Sequence, residues 1–183
     1  QYMICIPKLD FTLVCPADTQ GNDAARAIFL DMYEDFVDGE LHGRPLPEDP
    51  EGYAELMEYC GNLKLVSLDG EQGNATAERI NGKLITLSEN PMGIKWMRLD
   101  FSDNRGELVY ENGQGEKHLP FGLCKNVFSE FPQDGYENMK LGESPEGYRH
   151  PCATSAAWQD ESTLAIKSYM TGNHLGSVYI RIG

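Results

Sequence analysis

From Ile94 onward the chain places an apolar side chain at every second position, and a period of two admits strands and little else. Met97, Leu99 and Phe101 alternate with Arg98 and Asp100. Leu119, Phe121 and Leu123 form a second run, Leu164, Ile166, Ser168 and Met170 a third, and Val178, Ile180 and Ile182 a fourth. The separators SDNRG, ENGQGE, QDES and TGNHLG are hairpin chemistry, because Asn and Asp bond their own backbone and Gly accepts positive φ. Such turns join strands that pair in sequence. The pattern therefore predicts an antiparallel meander of about six or seven short strands, curled into a small barrel or half-barrel of lipocalin-like form. Phe131 to Pro151 is the one long loop expected in it.

The start of the chain follows another rule. Tyr2 to Pro7 and Phe11 to Pro16 are β-rich runs joined by Lys8-Leu9-Asp10, a tight hairpin whose strands are apolar on both faces. Strands of that kind are usually covered on each side, so the hairpin is expected to lie inside a larger sheet. Asn22 or Asp23 can cap a helix through AARAIFLDMYEDFVD, with Ala25, Phe29, Met32, Tyr33 and Phe36 on one face and Gly39 beyond its end. Gly39 to Pro50 holds three prolines and no periodic apolar face, which reads as a linker. Asp49 then caps and Pro50 opens a second helix, in which Tyr53, Leu56, Met57 and Cys60 recur at helical spacing before Gly61. The expected class is α+β. Residues 1–38 form a hairpin and helix, 39–50 a linker, and 51–183 a β-rich domain led by a short helix.

Composition excludes several partners. Lys and Arg number 15 against 29 Asp and Glu, and the net charge of −14 repels phosphate backbones and anionic membrane surfaces. Nucleic acid and membrane are therefore not expected partners. The runs Met3 to Pro7 and Phe11 to Pro16 are far too short to span a bilayer. Cys5, Cys15, Cys60, Cys124 and Cys152 are odd in number and never spaced C-x-x-C, which favours free thiols in a reducing compartment such as the cytoplasm.

The phrase YMICIPKLDFTLVCPADTQGN, leading into an amphipathic helix, resembles the end of the catalytic domain in serine hydrolases related to penicillin-binding proteins and class C β-lactamases. LPFGLCKNVFSEFPQDGY and AAWQDESTLAIK resemble the β-rich extension that follows that domain in many bacterial members. The resemblance implies that the hairpin completes a sheet whose catalytic core precedes residue 1. It also implies acyl-enzyme chemistry in the parent, with the β-rich domain shaping substrate access or assembly. The expected partner is the rest of the catalytic domain. An open hairpin edge further predicts pairing with another copy or domain exchange.

That chemistry needs Ser-x-x-Lys, and no serine here has Lys three residues on. Ser102-Asp103-Asn104, Tyr110-Glu111-Asn112, Tyr136-Glu137-Asn138 and Met170-Thr171-Gly172 approximate the remaining family signatures. They follow the terminal hairpin where the family's motifs precede it, and they read better as turn residues. No catalytic residue is assigned.

Other chemistries are weaker. His150 with Cys152, or His118 with Cys124, would need side-chain contact to act as a nucleophile pair, and buried thiols beside ordinary histidines are the blander reading. The histidines and cysteines lack metal-ligand spacing, and Glu34, Asp35, Asp38, Glu48, Asp49 and Glu51 read as solvated carboxylates, so no metal is expected. GQGEKH lacks a nucleotide-loop context and no cofactor is expected. Asn74-Ala75-Thr76 matches a glycosylation sequon. The competing reading is a free-standing lipocalin-like module that binds an apolar ligand in its interior.

Overall fold

The structure is a computed structural model that describes residues 2–15, 24–35, 47–133, 149–172 and 176–183. Its contacts divide the chain into two compact units, Gln1–Lys64 and Leu65–Gly183.

In the first unit β1 (Tyr2–Ile6) pairs antiparallel with β2 (Phe11–Cys15) from Tyr2↔Cys15 to Ile6↔Phe11. Pro7–Leu9 make a single 3-10 turn, and Asp10 closes it at φ 50°, a left-handed conformation that Asp tolerates. The alternation gives the ribbon two unlike faces. Tyr2, Ile4, Ile6, Phe11, Leu13 and Cys15 are half-buried, whereas Met3 is 68% and Val14 56% exposed. Helix α1 (Ala24–Glu34) packs Phe29, 3% exposed, against Tyr2 with ring centroids 5.0 Å apart. The expected larger sheet is not formed among the described residues, where the hairpin is a two-stranded sheet. Asn22, Asp23, Phe36, Gly39, the side chain of Ala25 and the linker up to residue 46 lie outside the described residues.

Helix α2 (Pro50–Asn62) starts where the sequence places it. Asp49 accepts a hydrogen bond from Gly52 N at 2.9 Å, and Pro50 occupies the first turn, where no amide is needed. Its apolar stripe is uncovered, with Tyr53, Leu56 and Met57 all more than half exposed.

The second unit is one eight-stranded sheet. Its strands are β3 (Leu84–Thr86), β4 (Trp96–Ser102), β5 (Arg105–Asn112), β6 (Gly115–Leu123), β7 (Val127–Glu130), β8 (Pro151–Trp158), β9 (Leu164–Met170) and β10 (Ser177–Ile182). β3 to β6 form one antiparallel meander and β8 to β10 another. They join where β6 meets β8 in parallel at Gly122↔Ser155 and Leu123↔Ala156. β7, sent back by the turn at Cys124–Asn126, runs antiparallel along the rest of that β8 edge. This parallel seam departs from the purely sequential pairing that the turn signals predict. The turn chemistry fixes which strands are hairpins, but not how two hairpin sets meet.

The sheet is a curled, open half-barrel ending at β10 and β3. Phe101 on β4 and Trp158 on β8 stand three strands apart in the sheet order, about 14 Å if it were flat. Their ring centroids are 6.1 Å apart, so the sheet folds over itself. The inward positions include ones the alternation marked and add Leu108 from β5, a strand outside the four alternating runs. Leu99, Leu108, Leu119, Phe121, Leu164 and Ile166 are all 0–1% exposed, and each buried aliphatic or aromatic side chain contributes about 1.5–3 kcal/mol relative to exposure. The helix α3 (Ala75–Ile80) covers one end, placing Ala77 in the core.

Candidate functional site

The motif residues occupy structural positions. Asp103 and Asn104 form the β4–β5 turn, with Asp103 at φ 49° and Leu123 N donating to Asn104 O at 2.9 Å. Tyr110, Glu111 and Asn112 run along β5. The Tyr110 hydroxyl and Asn112 Nδ2 both donate to Gln133 Oε1 at 3.0 Å, and Asn112 Oδ1 accepts from Gln114 N to close the next turn. Burial pushes the Tyr110 phenol up to about 12. Glu111 faces the other way, accepting from Lys95 Nζ at 3.1 Å and Trp96 Nε1 at 3.0 Å, and these bonds lower its pKa. Thr171 ends β9 by donating its amide to Pro151 O. Tyr136-Glu137-Asn138 lies outside the described residues, as does most of the long loop, residues 134–148.

Among the described residues no hydrogen bond joins Cys152 to His150 or Cys124 to His118. Cys152 is buried, its Sγ 3.4 Å from Ser129 Oγ and 3.7 Å from Thr154 Oγ1, and Thr154 Oγ1 lies 2.8 Å from Ser168 Oγ. This interior chain of hydroxyls and thiol satisfies polar groups on an otherwise apolar face. His150 is buried, and its carbonyl accepts from Phe131 N at 2.8 Å. Cys124, at φ 53°, donates Sγ–H to Gly70 O at 3.2 Å, and desolvation raises its pKa. His118 sits on the outer face, with Nδ1 3.3 Å from Glu107 Oε2 and Nε2 3.1 Å from Glu116 Oε1. The bond to Glu107, helped by Glu116, raises its pKa against the opposing effect of burial.

Among the described residues no three His, Cys, Asp or Glu side chains gather as a metal ion would require, and no helix is long and apolar enough to cross a membrane. The sequon asparagine is in structural use. Asn74 caps α3 through Oδ1 to Ala77 N at 2.9 Å, and its Nδ2 reaches Asp160 O at 3.3 Å.

A cleft of about 400 Å³ opens between α3, the preceding Gln72-Gly73, the β4–β5 turn and the end of β6. Phe101 and Leu123 supply apolar wall, and Gln72, Glu78 and Asp103 supply polar groups. Asn81 also lines it, but is spent on β4, accepting from Phe101 N at 2.8 Å and donating to Phe101 O at 3.4 Å. Helix α3 shows no periodic apolar face in the sequence, although Asn74 before it and Asn81-Gly82 after it are cap residues.

These features define an α+β chain whose second unit is a curled, antiparallel-rich half-barrel. Comparison with protein-family models, with curated proteins and with solved structures gives no match.

Proposed function

We propose that the chain is the C-terminal, non-catalytic part of a β-lactamase-related serine hydrolase, its half-barrel serving as an accessory domain for substrate access or assembly. The observation that carries this reading is the hairpin. A two-stranded ribbon is marginal in water, yet this one turns Met3 and Val14 to solvent and pairs with no third strand among the described residues. A ribbon apolar on its outer face is suited to a larger sheet in the same protein. The family itself rests on the wording IPKLDFTLV and AAWQDESTLAIK, and the lack of Ser-x-x-Lys fits a part that leaves acyl transfer to another domain.

The alternative, a lipocalin-like carrier, requires room inside the half-barrel. Leu99, Leu108, Phe121, Trp158 and Ile166 fill that face at 0–2% exposure, and a packed interior favours a domain that works through its surface. An antibody to the chain tests the proposal by reading the native polypeptide's mass in its own cells. A catalytic domain in the same polypeptide requires roughly twice 20.5 kDa or more. A native mass near 20.5 kDa would overturn the proposal.

A further inference from the structure

We propose that the free edge of β10 pairs with β10 of a second copy of this chain, joining two half-barrels into one continuous antiparallel sheet about a two-fold axis between the two Ile180 residues. Among the described residues β10 ends the sheet, and its one strand partner is β9, from Ser177↔Tyr169 to Ile182↔Leu164. The Met170 amide donates to Gly176 O at 3.0 Å. Strand alternation then turns the amides and carbonyls of Val178, Ile180 and Ile182 toward β9, and those of Ser177, Tyr179 and Arg181 away from it. Such an edge is a template for another strand. The usual protections are missing, since β10 has no proline, no bulge and no charge on its inward face.

The side chains select the partner strand. Val178, Ile180 and Ile182 pack inward against the core yet stay half-buried, because no further strand among the described residues continues their apolar layer. A second β10 in the two-fold register continues it with β-branched pairs, Ile180 against the partner's Ile180 and Val178 against the partner's Ile182. On the outer face Tyr179 is 52% exposed and Arg181 is exposed. The same register sets the Arg181 guanidinium beside the partner's Tyr179 ring, a cation–π pair that symmetry repeats. No arginine meets an arginine. An axis at Tyr179 would leave Arg181 opposite the partner's Ser177, so the strand's one charge is matched only with the axis at Ile180. All these residues belong to the second unit, and the pairing does not rest on the hydrolase reading.

The test is analytical ultracentrifugation of the full chain up to about 1 mM, with amide exchange followed by NMR as the concentration rises. The expected result is a reversible monomer–dimer equilibrium. The Tyr179 and Arg181 amides should gain protection with concentration, while the Ile180 amide, already turned to β9, should not change. Tyr179→Pro removes only an amide on the free edge, where a strand accepts proline, and should weaken the dimer about tenfold or more. Arg181→Glu sets a carboxylate beside the partner's Tyr179 ring and, with two such pairs lost per dimer, should weaken it about fivefold or more. Arg181 is exposed and opposite Ala165, so this variant should keep the monomer's melting temperature, and it decides the matter if the proline variant does not fold. A chain still monomeric at about 1 mM, a dimer whose Tyr179 and Arg181 amides exchange as freely as in the monomer, or an Arg181→Glu variant that dimerises like the parent would each overturn the proposal.

Discussion

Gly122 stands so close to Lys125 that a Cβ on it would lie 2.4 Å from the Lys125 carbonyl oxygen. The contact arises because β6 ends in a reversal through Cys124 while its last residues pair in parallel with Ser155 and Ala156. Gly122→Ala must move backbone, because a carbonyl cannot rotate away as a side-chain tip can. It should destabilise the second unit by about 1–3 kcal/mol in urea unfolding. Gly113→Ala, where the added Cβ meets nothing within 4 Å, should stay within about 0.5 kcal/mol of the parent.

The packed interior makes a second prediction. Phe121→Ala removes a fully buried ring from the centre of the half-barrel and should cost about 3–5 kcal/mol, whereas Leu84→Ala, 62% exposed on the end strand β3, should cost less than about 0.5 kcal/mol. Equal losses in the two variants would contradict the burial pattern.

Asp160 sets an acid limb to stability. Its Oδ1 accepts from Ser162 N at 2.8 Å, Ser162 Oγ at 3.0 Å and Thr163 N at 2.8 Å, and these bonds hold its carboxyl down to about 2. A depressed native pKa contributes stability above the unfolded value of about 4 and loses it as pH falls through the native one. The melting temperature should therefore fall, by a small amount because the carboxyl is exposed and screened by solvent, as pH drops from about 4 to about 2, and Asp160→Ala should remove that contribution to the pH dependence.

His118 acts in the opposite direction. Its raised pKa means that its contribution is fully present below the unfolded value of about 6.5 and is lost as pH rises through the folded one. An NMR titration should find the His118 imidazole above 6.5, and Glu107→Gln, which removes the largest cause, should bring it down. The stability effect should be small, since the ring is half exposed and screened by solvent.

Tyr110 supplies a spectroscopic check. Burial pushes its phenol to about 12, so absorbance near the phenolate band should show one tyrosine ionising after the exposed ones. Its disappearance in Tyr110→Phe identifies it.

Much of this architecture is legible residue by residue. Met97, Leu99 and Phe101 point inward as their alternation requires, Asp49 caps α2, and Asn112-Gly113 turns the chain between β5 and β6. The parallel seam is not legible, because it needs Cys124 at positive φ, and no residue preference announces that in a cysteine. Helix α3 spans six residues, too short for a periodic face. The cleft escapes for a different reason. Gln72, Glu78, Phe101, Asp103 and Leu123 come together only through the curl, so Asp103 reads in sequence as a turn residue, which it also is.

Treating the native polypeptide with a fluorescent penicillin or a fluorophosphonate and locating the acylated residue by peptide mass spectrometry decides whether this chain belongs to a serine hydrolase. If the chain is the accessory part proposed above, the polypeptide carrying this sequence is labelled on a serine that precedes Gln1. A native polypeptide of about 20.5 kDa that takes no label would contradict that proposal.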